Sequence, residues 1–126
     1  MTTAMIVLGV LSILLTGVHA FGGGKEVLEP VMALSGPAPV PRETMRVCWH
    51  GITVVLLVSG VGFLWAASNA EQGVGAARLL STINLGFAGL FLWTAWRSRI
   101  PGGWLKLGQW IAFLPMGVAG WAATLL

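Results

Sequence analysis

Apolar residues run along this chain in four long blocks separated by short polar stretches. The blocks cover about residues 3–22, 47–68, 78–96 and 104–126. Crossing a bilayer as a helix takes roughly 20 residues, and none of the blocks has Asp, Glu, Lys or Arg in its middle third. A backbone surrounded by lipid must satisfy its own hydrogen bonds, so each block is predicted to be a helix. The expected fold is all-α, a single domain over residues 1–126 forming a four-helix transmembrane bundle. A loop over residues 23–46 joins the first two helices. Residues 5–18, followed by Val18-His19-Ala20, also have the outline of a secretory signal with its cleavage site. No Lys or Arg precedes them, and the block is read as a retained helix.

The connecting stretches differ in kind. Gly22-Gly23-Gly24 is expected to end the first helix and let the chain turn. Residues 25–34 (KEVLEPVMAL) mix apolar and charged positions in the manner of a short interfacial helix, with Pro30 near its start or breaking it. Residues 35–41 (SGPAPVP) predict a stiff extended connector, because alternating prolines favour polyproline II. Residues 69–77 read as a short loop and 98–103 as a tight turn.

Small and hydroxyl residues line one face of each helix. Gly9, Ser12, Thr16 and His19 recur at helical spacing in the first. Ser59, Gly62 and Ala66 share one side of the second, with Arg46, His50, Thr53, Leu57 and Gly60 nearly opposite. Ser81, Asn84, Ala88 and Ala95 share a face of the third, and Gly108, Ala112, Pro115, Ala119 and Ala122 a face of the fourth. Such faces let helices approach closely in lipid. Asn84 and Gln109 are expected to bond across helices.

Composition supports the membrane reading. With 56% hydrophobic and 9% charged residues, the chain cannot cover a water-facing surface, while 18 glycines and 7 tryptophans suit a membrane protein. The net charge of +3 and the lack of a basic stripe with interleaved aromatics exclude a nucleic-acid partner. The single Cys48 excludes an internal disulfide or a CxxC pair. Lys25, Arg42, Arg46, Arg97, Arg99 and Lys106 fall at one end of the helices and Arg78 alone at the other. By the positive-inside rule, the first and third loops face the cytoplasm of a bacterial inner membrane, and both termini face the periplasm.

Residues 19–50 hold both histidines, the only cysteine and the acids Glu26, Glu29 and Glu43. In an antiparallel hairpin His19 and His50 reach the same depth, roughly 5 Å inside the boundary. Ionisable groups there are costly unless paired, and so are candidates for function. Several uses fit. His19, Glu26, Arg46 and His50 form a polar latch; or His19, Glu26 and His50 bind a transition metal, with Arg46 or Cys48 in support; or the two histidines hold haem b axially. A protonation switch is a further use. Catalysis has less support: there is no Ser-His-Asp pattern, and Gly22–Lys25 lacks the spacing and the Ser/Thr of a P-loop.

His19, the GGGKE turn with Glu26, Leu28, Pro30 and the Arg46-Val47-Cys48-Trp49-His50 string together resemble a family of small uncharacterised bacterial four-helix membrane proteins. In that family a first-helix His precedes a Gly/Glu turn and an Arg-x-x-Trp-His sequence opens the second helix. The resemblance spans about residues 15–55. It implies the same fold and points to the same residues, but assigns no activity.

The function expected first is that of a non-enzymatic accessory or scaffold protein, embedded in the lipid bilayer and pairing with itself or with a larger membrane complex. A metal- or haem-binding redox or sensor protein using His19 and His50 is the alternative. A small-solute transporter formed by oligomerisation is a weaker one.

Overall fold

The computed structural model describes residues 1–34, 36 and 38–125, apart from the side chain of Ala70. No strand occurs among them. Helix α1 (Thr2–Gly17) continues without a break into a π-helical segment (Val18–Leu28) and then α2 (Glu29–Ala33). After a short link come α3 (Pro39–Ser68), α4 (Ala70–Ser98), the single turn α5 (Gly103–Lys106) and α6 (Trp110–Ala123). Three continuous helices are long and apolar enough to cross a membrane: Thr2–Ala33, Pro39–Ser68 and Glu71–Ser98.

Several expected boundaries move. Gly22-Gly23-Gly24 does not turn the chain. Gly102 is the one described glycine with positive φ, and the backbone closes hydrogen bonds one residue wider through this region, as from the Glu29 N–H to the Gly24 carbonyl. The helical cost of glycine, about 1 kcal/mol each, is set against tertiary contact, because the Trp49 ring lies over Gly23. The loop expected over 23–46 is therefore mostly helix. In the connector expected over 35–41, Ser35 and Pro37 lie outside the described residues, while Pro39, Val40 and Pro41 form the first turn of α3. Proline is tolerated there because a first-turn N–H has no intrahelical partner anyway. The loop expected over 69–77 contracts to Asn69, whose side-chain amide donates to the Trp65 carbonyl at 3.0 Å.

The fourth apolar block is divided. Arg99 and Gly102 take left-handed φ values of 52° and 69° and reverse the chain. A second turn over 107–109 then separates α5 from α6. At 1.5 Å per residue, α6 is only about 21 Å long, so residues 104–126 do not form one continuous span.

Neighbouring long helices run antiparallel, and close contacts fix their register. Gly9 and Gly60 bring α1 onto α3, where any Cβ on Gly9 would fall 2.9 Å from the Gly60 carbonyl oxygen. Ser12 Oγ donates to the Leu56 carbonyl across the same seam at 2.6 Å. Between α3 and α4, Asn84 Nδ2 donates to Ser59 Oγ at 3.2 Å, and both side chains are buried. The cross-helix bond expected of Asn84 is present. On α6, the residues turned inward are Phe113, Met116, Gly117, Gly120 and Ala123. Gly117 and Gly120 press on Ser81 of α4. The small-residue face expected on this helix is rotated away: Pro115, Ala119 and Ala122 are exposed. Phe113 and Met116 have volume to fill the seam that alanines would leave empty. Helix α6 also touches α1.

The buried core, centred on Met5, Phe63, Phe113 and Met116, is small beside the apolar exterior. Ile6, Val10, Leu14, Val54, Val58, Val61, Leu79 and Ile83 all point outward. Contiguous apolar surface of this kind marks a membrane or an extensive partner surface.

Candidate functional site

The polar region between the two histidines lies where the α1–π–α2 helix packs against the first half of α3. His19 is half-buried. Its ring stacks on Trp49 with centroids 4.3 Å apart and planes 17° from parallel. Nε2 of His19 lies 3.2 Å from the Trp49 carbonyl oxygen. A carbonyl only accepts, so Nε2–H donates and Nδ1 of the neutral ring keeps its lone pair. The face expected from Gly9, Ser12, Thr16 and His19 is the one that meets α3, so the contact follows from the helical spacing.

The other candidate residues take different surroundings. His50 is exposed, on the residue next to Trp49. Arg46 is exposed too and pairs with Glu43 one turn away, at 3.1 Å. Glu26 is exposed, on the π-helical segment. Cys48 is a free, exposed thiol. Among the described residues, no three His, Cys, Asp or Glu side chains come together as a metal-binding group. His19, Glu26 and His50 thus do not converge as a metal site needs.

Beside the His19–Trp49 stack opens a cleft of about 570 Å³. Val27, Leu28 and Val31 form one side; Met45, Cys48, Trp49, Gly51, Ile52 and Val55 of α3 form another. Phe87, Leu90 and Phe91 of α4 and Gln109, just before α6, complete it. Phe87 and Phe91 stack on the buried Phe113 at 5.3 and 6.0 Å, which fixes this wall from behind. No Asp, Glu, Lys or Arg lines the cleft. On two of the lining residues, one polar atom is shut off from solvent without a hydrogen-bond partner: Nε1 of Trp49 and Oε1 of Gln109. The bond across helices expected of Gln109 is not made by this oxygen.

Sequence reasoning located His19 and Cys48 but not the cleft. Trp49 reads as an interfacial anchor, and Phe87 and Phe91 as ordinary apolar positions. Their grouping depends on the register of three helices, which no local pattern encodes. The π-helical segment was equally hidden, although π-helical turns occur frequently at functional sites. No protein-family model matches the chain, and neither a curated protein nor a solved structure gives a match.

Proposed function

We propose that this chain is a multi-pass protein of a bacterial inner membrane, built as a four-helix transmembrane bundle in which the broken α5–α6 segment takes the fourth place, and that it serves as a non-enzymatic accessory or scaffold subunit. The observation that carries the reading is a mismatch of length. The helices Thr2–Ala33 and Pro39–Ser68 have 32 and 30 residues. At up to 1.5 Å per residue each reaches roughly 45 Å, against a hydrocarbon core of about 30 Å. The excess falls at one end, where the two helices meet through residues 34–38. Lys25, Glu26, Glu29, Arg42, Glu43 and Arg46 all belong to that end.

A paired-helix projection of mixed charge, carried on an apolar shaft, suits docking better than catalysis. Charge asymmetry supports a cytoplasmic position for the projection and a periplasmic one for both termini. Exposed Gly86 and Gly89 on α4, with Ala119 and Ala122 on α6, give smooth faces for contact with a second copy or another membrane subunit.

The reading is tested by extracting the protein from membranes in mild detergent and measuring the mass of its complex on native gels. Wild type is expected to migrate as an assembly. The triple variant Glu26→Lys, Glu29→Lys, Glu43→Lys is expected to shift toward the monomer while staying in the membrane fraction. A wild type that is monomeric at every detergent and protein concentration contradicts the scaffold role.

A further inference from the structure

We infer that the chain reversal between α4 and α6 is a headgroup site for an anionic phospholipid of the leaflet that this end of the bundle reaches. The distribution of charge comes first. The charges of the overhang cancel, Lys25, Arg42 and Arg46 against Glu26, Glu29 and Glu43, and Glu71 balances Arg78 at the opposite end. Arg97, Arg99 and Lys106 therefore carry the whole net charge of +3. No Asp or Glu follows Glu71 in the sequence. All three cations are exposed, and the one ion pair among the described residues lies elsewhere, between Arg46 and Glu43.

The fold gathers these cations. The left-handed residues Arg99 and Gly102 turn the chain so sharply that Gly103 lands on the last turns of α4. A Cβ there would stand 3.4 Å from the Ala95 carbonyl oxygen. Lys106 folds back over the same turn, with its Cε 4.0 Å from the Cβ position of Gly102. The Arg97 guanidinium lies over the Trp93 ring, 5.3 Å from its centroid, which anchors the cation without neutralising it. Guanidinium groups fork onto phosphate oxygens, and an ammonium adds a point charge.

Depth and surroundings select a lipid. Arg78 and Arg97 stand about 29 Å apart along α4, close to the hydrocarbon thickness of about 30 Å. Helix α6 starts short of that boundary, because Phe113 near its beginning already packs on Phe87 and Phe91. Residues 99–109 fill the step. Trp96, Ile100, Trp104 and Leu105 are exposed there, and the Trp104 carbonyl accepts from Trp110 Nε1 at 2.8 Å, which ties α5 to the start of α6. Exposed indoles beside cations match the headgroup boundary. A soluble acidic partner would leave the apolar members in water. A second copy would offer only an overhang whose acids are already balanced.

The inference rests on the membrane reading, but the two fail separately: lipid retention is read on protein in detergent, sidedness by labelling in vesicles. The purified full chain is mixed with equal amounts of phosphatidylglycerol and phosphatidylcholine, and the lipids it retains are counted by native mass spectrometry. The wild type is expected to retain phosphatidylglycerol about fivefold or more over phosphatidylcholine, the preference that one cation gives at an anionic surface. The triple variant Arg97→Gln, Arg99→Gln, Lys106→Gln is expected to bring the ratio near unity. The overhang variant Glu29→Gln, Arg42→Gln, Glu43→Gln, Arg46→Gln removes two charges of each sign and is expected to keep the wild-type ratio. If the triple variant loses its helical signal, Arg97→Gln decides in its place, with an expected fall of about twofold or more.

An even ratio in the wild type overturns the inference, as does an overhang variant that loses the preference. A triple variant that keeps the preference overturns it too, and if that protein also falls to the monomer the cations belong to a contact with a second copy. Displacement of the lipid by an equal concentration of glycerol phosphate would mark a site for soluble phosphate and overturn it as well.

Discussion

Gly73 lies so close to α3 that a Cβ would come within 2.6 Å of the Ala66 backbone, and the one-residue joint at Asn69 exists because of that approach. Gly75, two residues on, has open space around its Cβ position. The two positions therefore predict opposite outcomes for the same substitution. Gly73→Ala should force the α3–α4 hairpin apart and destabilise by about 1–3 kcal/mol, as overpacking does. Gly75→Ala should raise stability by up to about 1 kcal/mol through helix propensity alone. Thermal unfolding in detergent, followed by far-ultraviolet circular dichroism, reads both. At this scale the sequence is informative about type and silent about partner. Ser12, Asn84 and the glycines are legible as a packing inventory, but which carbonyl Ser12 meets or which glycine bears on backbone depends on helix pairing. At the opposite end, Arg78 shows the same limit. It reads as the lone basic residue on its side, and the structure turns it onto Trp121, with Nε donating to Thr124 Oγ1 at 3.2 Å.

Among the elements, the π-helical segment departs most from expectation. Three consecutive glycines are an ordinary stop signal, and a local rule has no means of knowing that an indole ring packs over the middle one. A Cβ on Gly23 would stand 3.0 Å from the Trp49 ring, whereas one on Gly22 would meet nothing. Gly23→Ala should therefore disturb the His19–Trp49 stack and change the near-ultraviolet circular dichroism of tryptophan, while Gly22→Ala should leave that signal unchanged. Identical spectra for the two variants would contradict the packing. The middle of each long apolar block was legible because length and hydropathy decide it. The ends were not. Pro39 and Pro41 look like an interruption and are instead a helix start, a role that proline's fixed φ permits. The break inside residues 104–126 has a visible marker in Gly108, yet uniform apolarity outweighs it. Hydropathy cannot say which face of α6 turns inward when all its faces are apolar, and volume decides instead, turning Phe113 and Met116 inward and the small residues out.

For the molecule as a whole, the apolar exterior and the long helices form one argument. A surface carrying Ile6, Val10, Leu14, Val54, Val58 and Leu79 suits lipid, and the charged overhang suits water on one side of it. The candidate site lies at the base of that overhang, where the apolar shaft meets the charged projection. This position explains why polar residues concentrate between His19 and His50, and why the cleft they border is not legible in the sequence. Its walls come from residues as much as 90 positions apart, from His19 to Gln109. The central claim is that the chain spans the membrane with the helical overhang on one side and both termini on the other. In a Cys48→Ser background, single cysteines at Thr2, Glu26 and Thr124 can be labelled with a membrane-impermeant maleimide in right-side-out and inverted vesicles. The account predicts that Glu26→Cys reacts only in inverted vesicles, while Thr2→Cys and Thr124→Cys react only in right-side-out ones. Labelling of Glu26→Cys and Thr2→Cys from the same side would contradict it.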